Sequence, residues 1–118
     1  MSGPRVMLVE DESLVALVME DMLADLGCEV VATFGALSPA LDWFAAGQAP
    51  FDGALLDVNL GGELVFPLAE ALEARGVPFV FATAYGALPE ARFPEAMVVR
   101  KPVDPGALGR AVAAFARS

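Results

Sequence analysis

Five short apolar runs punctuate the chain at roughly even intervals, beginning near Val6, Val30, Gly53, Val77 and Ala96. Each is too short for a core helix, and helical spacing takes over between them. In Ser13 to Leu26, Leu14, Leu17, Val18, Met22 and Leu26 recur on one face, with Glu20, Asp21 and Asp25 opposite. This predicts an amphipathic helix whose apolar face is the leucine-bearing one, stopped by Gly27. Ser38-Pro39 reads as an N-cap followed by proline at the first helical position, opening a helix that carries Leu41, Trp43 and Phe44. Leu64 to Arg75 predicts a third helix ended by Gly76, with Pro67 tolerable only near its first turn. Asp104-Pro105 repeats the cap-plus-proline signal before a helix running to about Ala116. Between Tyr85 and Glu95 the pattern fails, because Gly86, Pro89 and Pro94 leave room for only a short, poorly specified helix. Strands alternating with helices predict a doubly wound α/β fold: a five-stranded parallel sheet with helices on both faces.

Composition narrows the setting. A chain of 118 residues, 57% hydrophobic and 19% charged, is one globular domain rather than a disordered segment. No apolar run approaches the roughly 20 residues needed to span a bilayer, and no signal peptide precedes Arg5, so a cytoplasmic protein without a membrane partner is expected. Cys28 is the only cysteine and there is no histidine, so any metal must be held by oxygen ligands. A net charge of −9, with seven basic residues in no patch, argues against nucleic acid as a partner.

The chemistry sits where the runs end. Val6 to Val9 runs into Glu10-Asp11, Ala54 to Leu56 into Asp57, Val77 to Ala82 into Thr83, and Met97 to Val99 into Arg100-Lys101-Pro102. Lys101 is the only lysine in the chain. In an open parallel sheet, ligands bind at the carboxyl ends of the strands, so these four ends converge. Three carboxylates there repel one another, and Mg²⁺, which takes one or two carboxylates plus waters and a phosphate oxygen, relieves that repulsion. Taken singly, each piece has an ordinary reading: Glu10-Asp11 a solvated loop, Asp57 a turn former, Thr83 a cap, Lys101 a surface lysine. Their shared edge makes them a candidate for metal-assisted phosphoryl chemistry. There, a carboxylate attacks phosphorus in line, while the metal and Lys101 neutralise charge on the equatorial oxygens. Backbone N–H groups after Asp57 and Thr83 are further candidate donors.

Glu10-Asp11, Asp57, Thr83 and Lys101-Pro102 together resemble the receiver domain of two-component response regulators, over essentially the whole chain. The resemblance implies a flavodoxin-like fold, a single receiver domain spanning 1–118 without an effector domain, and a bacterial phosphoacceptor switch. Asp57 would accept a phosphoryl group from a histidine kinase or phosphotransfer protein. Asp11 and Asp57 would bind Mg²⁺, with Glu10 acting through water and the Asn59 carbonyl completing the protein ligands. Thr83 would hydrogen-bond the phosphoryl group and Lys101 would pair with it, beside a cis peptide to Pro102. The output would be contact with a downstream protein, from a monomer or weak homodimer that catalyses only its own phosphorylation and dephosphorylation.

Pro78 to Tyr85, Pro-Phe-Val-Phe-Ala-Thr-Ala-Tyr, is also similar to the motif of the stand-alone FAT GUY receivers, which usually have glycine where this chain has Ala84. Typical receivers place Tyr or Phe three residues before the lysine, and this chain has Val98. Switching is therefore expected in the segment from Tyr85 to Glu95, next to Thr83, with Tyr85 either a moving reporter or a plain packed aromatic. Two other readings stand beside this one. A small Mg²⁺-dependent phosphatase with an aspartyl nucleophile would need a second Asp two residues after Asp57, where Asn59 stands. An interaction domain that is never phosphorylated would not need every site position filled with a competent residue.

Overall fold

The computed structural model describes residues 3–47, 49–84 and 92–116. The chain runs β1 (Arg5–Val9), α1 (Ser13–Asp25), β2 (Glu29–Phe34), α2 (Leu37–Ala46), β3 (Gly53–Asp57), then the two-residue strands β4 (Asn59–Leu60) and β5 (Glu63–Leu64). It continues through α3 (Phe66–Ala74), β6 (Phe79–Thr83), β7 (Met97–Arg100), α4 (Pro105–Val112) and a 3₁₀ turn at Ala113–Phe115. Five strands form one sheet in the order β2-β1-β3-β6-β7, every neighbouring pair parallel. The expected doubly wound α/β architecture is therefore present. No helix among the described residues is long and apolar enough to cross a membrane.

Strand alternation divides the core in two. Met7, Val9, Ala54, Leu56 and Phe81 point to the face covered by α2 and α3, and Val6, Leu8, Leu55, Val80 and Ala82 to the face covered by α1 and α4. The first core is aromatic, with Phe66 and Phe79 each in ring contact with Phe81 and Phe93, which also touch each other. The second is aliphatic and closed by Phe115, whose ring lies so close over Gly53 that a Cβ there would sit 2.3 Å from it. β3 is buried along its whole length, as a central strand covered on both faces must be.

Several expectations need correction. In α1 the buried residues are Ala16, Met19 and Leu23, whereas Leu14, Leu17 and Val18 are 77%, 56% and 52% exposed. The helix has two apolar stripes, and the one with the smaller side chain, Ala16, faces the sheet. α2 starts at Leu37 with Ala36 at its N-cap, so Ser38-Pro39 fall inside the first turn instead of opening the helix. α3 starts at Phe66, because Glu63–Leu64 pair with Asn59–Leu60 in an antiparallel hairpin that periodicity did not predict. The Asp104 cap holds: its Oδ2 accepts from the Ala107 N–H at 2.9 Å. Within the expected switch segment, Tyr85 and the rest of 85–91 lie outside the described residues. At the far end of that segment Phe93 is only 3% exposed and packs into the aromatic core. Arg92 beside it lies over the rings of Phe66 and Phe93 and pairs with Glu70 of α3. Arg92 and Phe93 are thus anchored, whereas Pro94 and Glu95 after them are exposed.

Candidate functional site

β1, β3, β6 and β7 are consecutive in the sheet, so their carboxyl ends lie side by side. Asp57 is the last residue of β3, in register with Ala82, and Thr83 is the last of β6, in register with Arg100. Glu10-Asp11 leave β1 directly, and Lys101 follows β7. A backbone hydrogen bond from the Lys101 N–H to the Thr83 carbonyl, 2.9 Å, ties the last two strand ends together. The Lys101–Pro102 peptide is cis. Five of the residues singled out in the sequence therefore meet at one edge, in a cleft of about 330 Å³ lined by Asp11, Asp57, Asn59, Thr83 and Lys101. Glu10 lies beneath it, fully buried.

Charge in this cleft is unbalanced. The Lys101 Nζ donates to Glu10 Oε1 at 2.6 Å and stands 3.4 Å from Asp57 Oδ1. The other Glu10 oxygen accepts from the Glu12 N–H at 3.1 Å. One ammonium thus serves two carboxylates, with Asp11 a third. Burial, then the neighbouring Glu10 charge, push the Asp57 carboxyl up to about 7. Lys101 lowers it only in part, and a hydrogen bond with Asp11 raises it further. Burial disfavours the Lys101 cation, but its hydrogen bond to Glu10 and the charges of Asp57 and Glu10 outweigh that and raise its pKa.

The donor set fits a hard divalent cation. Glu10, Asp11 and Asp57 each offer a carboxylate oxygen, all within 4.8 Å of one another. The side-chain oxygen of Asn59 is engaged by the Gly62 N–H at 2.6 Å, which leaves its main-chain carbonyl as the oxygen to offer. One expected donor is taken: the Val58 N–H, directly after Asp57, bonds the Ala82 carbonyl at 3.3 Å. Gly61, also on the cleft wall, was missed in the sequence, although Gly-Gly between short apolar stretches is a hairpin signal.

No protein-family model and no curated protein matches the chain. Solved structures do. SdrG from Sphingomonas melonis Fr1 is 39% identical, with 95% of each chain covered and a TM-score of 0.81. The BeF3-activated conformation of SdrG, from Pseudomonas melonis Fr1, is likewise 39% identical over 94% of each chain, at a TM-score of 0.75. The signal receiver domain of a modulated diguanylate cyclase from Desulfovibrio desulfuricans is 27% identical, covering 93% of this chain and 90% of that one, at 0.80. The response regulator PhyR from Brucella abortus is 29% identical over 98% of this chain but only 48% of its own, at 0.75.

Proposed function

The chain belongs to the response-regulator receiver domains, and from that membership we propose that it is a phosphoacceptor switch of two-component signalling with Asp57 as the acceptor. The observation that carries the reading is the buried end of β3, where the Asp57 carboxylate faces Lys101 at 3.4 Å in an acidic cleft. A histidine kinase or phosphotransfer protein would supply the phosphoryl group. The Asp57 oxygen attacks phosphorus as the donor P–N bond breaks, giving an acyl phosphate. Asp57 must be ionised to attack, and a pKa near 7 makes that state costly in the cation-free site. Glu10, Asp11, Asp57 and the Asn59 carbonyl would hold Mg²⁺, which when bound neutralises charge on the transferring oxygens.

The remaining groups act on the product. Lys101 now sits closer to Glu10 than to Asp57, and a phosphoryl group on Asp57 gives its ammonium a stronger partner. The Thr83 hydroxyl, on the adjacent strand end, would donate to a phosphoryl oxygen and carry the chain after Ala84 with it. That is a local charge change biasing a two-state element. The donor protein docks beside the cleft, on the exposed stripe of α1. Leu14 and Val18 there form with Met22, Pro102 and Val103 an apolar groove that Lys101 also borders. The signal leaves by contact with a second protein.

Exposure to acetyl phosphate and Mg²⁺, followed by borohydride reduction of the acyl phosphate and peptide mapping, tests the assignment. One modified residue is expected, Asp57. Modification at another carboxylate would overturn it.

A further inference from the structure

Beyond Asp57 the chain makes a hairpin of which the acceptor reading uses only the Asn59 carbonyl. β4 and β5 pair with Asn59 opposite Leu64 and Leu60 opposite Glu63, so the connecting loop is Gly61-Gly62 alone. Both glycines have positive φ, 66° and 100°, as a type I′ turn requires. The hairpin is held firmly. Leu60 and Val65 are buried in the aromatic core, the Val65 N–H bonds the Val58 carbonyl at 3.0 Å, and Asn59 Oδ1 caps the turn at the Gly62 N–H.

The two glycines face different surroundings. A Cβ on Gly61 would lie 3.6 Å from Oδ2 of Asp11, whereas one on Gly62 would meet nothing within 4 Å. The turn itself does not demand glycine at 61, because the first position of a type I′ turn is where asparagine is favoured. What glycine provides at 61 is therefore open space over Asp11.

We propose that Gly61 keeps the outer side of the Asp11 carboxylate open to a hydrated cation, so that the residue at 61 sets the cation affinity of the site. The inference rests on reading Glu10, Asp11 and Asp57 as the cation site. Mg²⁺ gives up its waters reluctantly and keeps several of them when bound to one or two carboxylates. A side chain in van der Waals contact with Oδ2 takes the place of such a water. An amide side chain there also donates to the carboxylate and competes with the cation for it. Gly61 is in this sense a positioning residue: it acts on the cation through Asp11.

Calorimetric titration of Mg²⁺ into the wild-type protein, Gly61→Asn, Gly61→Ala and Gly62→Ala separates this from a role in the turn. Asn-Gly is a preferred type I′ pair, so Gly61→Asn keeps the hairpin, which its melting temperature in a chelator confirms. Gly62→Ala carries the greater left-handed strain, at φ 100° against 66°, and yet only Gly61→Ala approaches Asp11. Gly61→Asn should bind Mg²⁺ about tenfold more weakly, the lower end of what altering the partners of a metal ligand costs. Gly61→Ala should fall between it and the wild type, and Gly62→Ala should match the wild type. Wild-type affinity in Gly61→Asn, or equal weakening in Gly62→Ala, would overturn the proposal while leaving the acceptor assignment intact. A wild-type protein that binds no Mg²⁺ would overturn the cation reading and this inference with it.

Discussion

The two ends of the parallel sheet both carry charge out of full solvent, and they treat it oppositely. At the amino end Arg5 and Asp52 face each other: the Arg5 N–H donates to Asp52 Oδ2 at 2.7 Å, the Asp52 N–H donates to the Arg5 carbonyl at 2.7 Å, and the guanidinium Nε lies 3.8 Å from the same carboxylate. At the carboxyl end Lys101 is shared between Glu10 and Asp57, with Asp11 beside them. One arrangement sets a cation against an anion. The other holds surplus negative charge, and its cost is visible in an Asp57 carboxyl raised to about 7. Charge left uncompensated inside a fold marks a place kept for a ligand.

Exchanging single atoms at the two ends sharpens that contrast. Asp57→Asn should abolish labelling by a kinase or acetyl phosphate with the fold intact, since it removes the nucleophile and keeps the volume. Asp52→Asn should label like the wild type. Residual label in Asp57→Asn, or its loss in Asp52→Asn, would break the division of roles. Lys101→Ala should still be phosphorylated but should lose most of the conformational response, read as the difference in hydrogen exchange between free and beryllofluoride-bound protein. Thr83→Ala should act in the same direction through the lost hydroxyl. An undiminished difference in both variants contradicts the roles given to them.

At the amino end the effect is on stability. Asp52→Asn should cost about 1–3 kcal/mol in urea unfolding, because it weakens a charge-assisted hydrogen bond to the Arg5 backbone at a half-buried site. No measurable loss would mean that the pair is ornamental. Stability should also depend on pH. Asp57 has a folded pKa, about 7, above its ordinary value of 3.8, so the folded state binds the more protons between those values. Its contribution to stability is fully present below about pH 4 and is lost as pH rises through 7 in the cation-free protein. Asp57→Asn should flatten that part of the profile. A wild-type profile equally flat between pH 4 and 7 would show that the carboxylate is not under strain.

The site was legible in the sequence to an unusual degree, and the reason is local. Where an apolar run stops is visible in the order of residues, and in a parallel sheet all strands stop on the same side, so Glu10, Asp57, Thr83 and Lys101 could be gathered without coordinates. The hairpin at Gly61-Gly62 was also written locally, but a two-residue strand gives periodicity nothing to count. Helix α1 is the opposite case. Its sequence carries two stripes, Leu14-Leu17-Val18-Met22 and Ala16-Met19-Leu23, and periodicity ranks them by hydrophobicity alone. Packing against a twisted sheet selects the stripe that fits closely, and here that is the one with alanine.

Sequence by itself determined the strand-helix alternation, the parallel sheet and the set of reactive groups, because each follows from neighbours within a few residues. Tertiary structure alone decided which face of α1 is buried, that Phe93 is anchored, and that Lys101 bonds Glu10, 91 residues away, at closer range than Asp57. Those outcomes depend on side-chain volumes and charges from separate segments competing for the same space, and no single segment contains that competition.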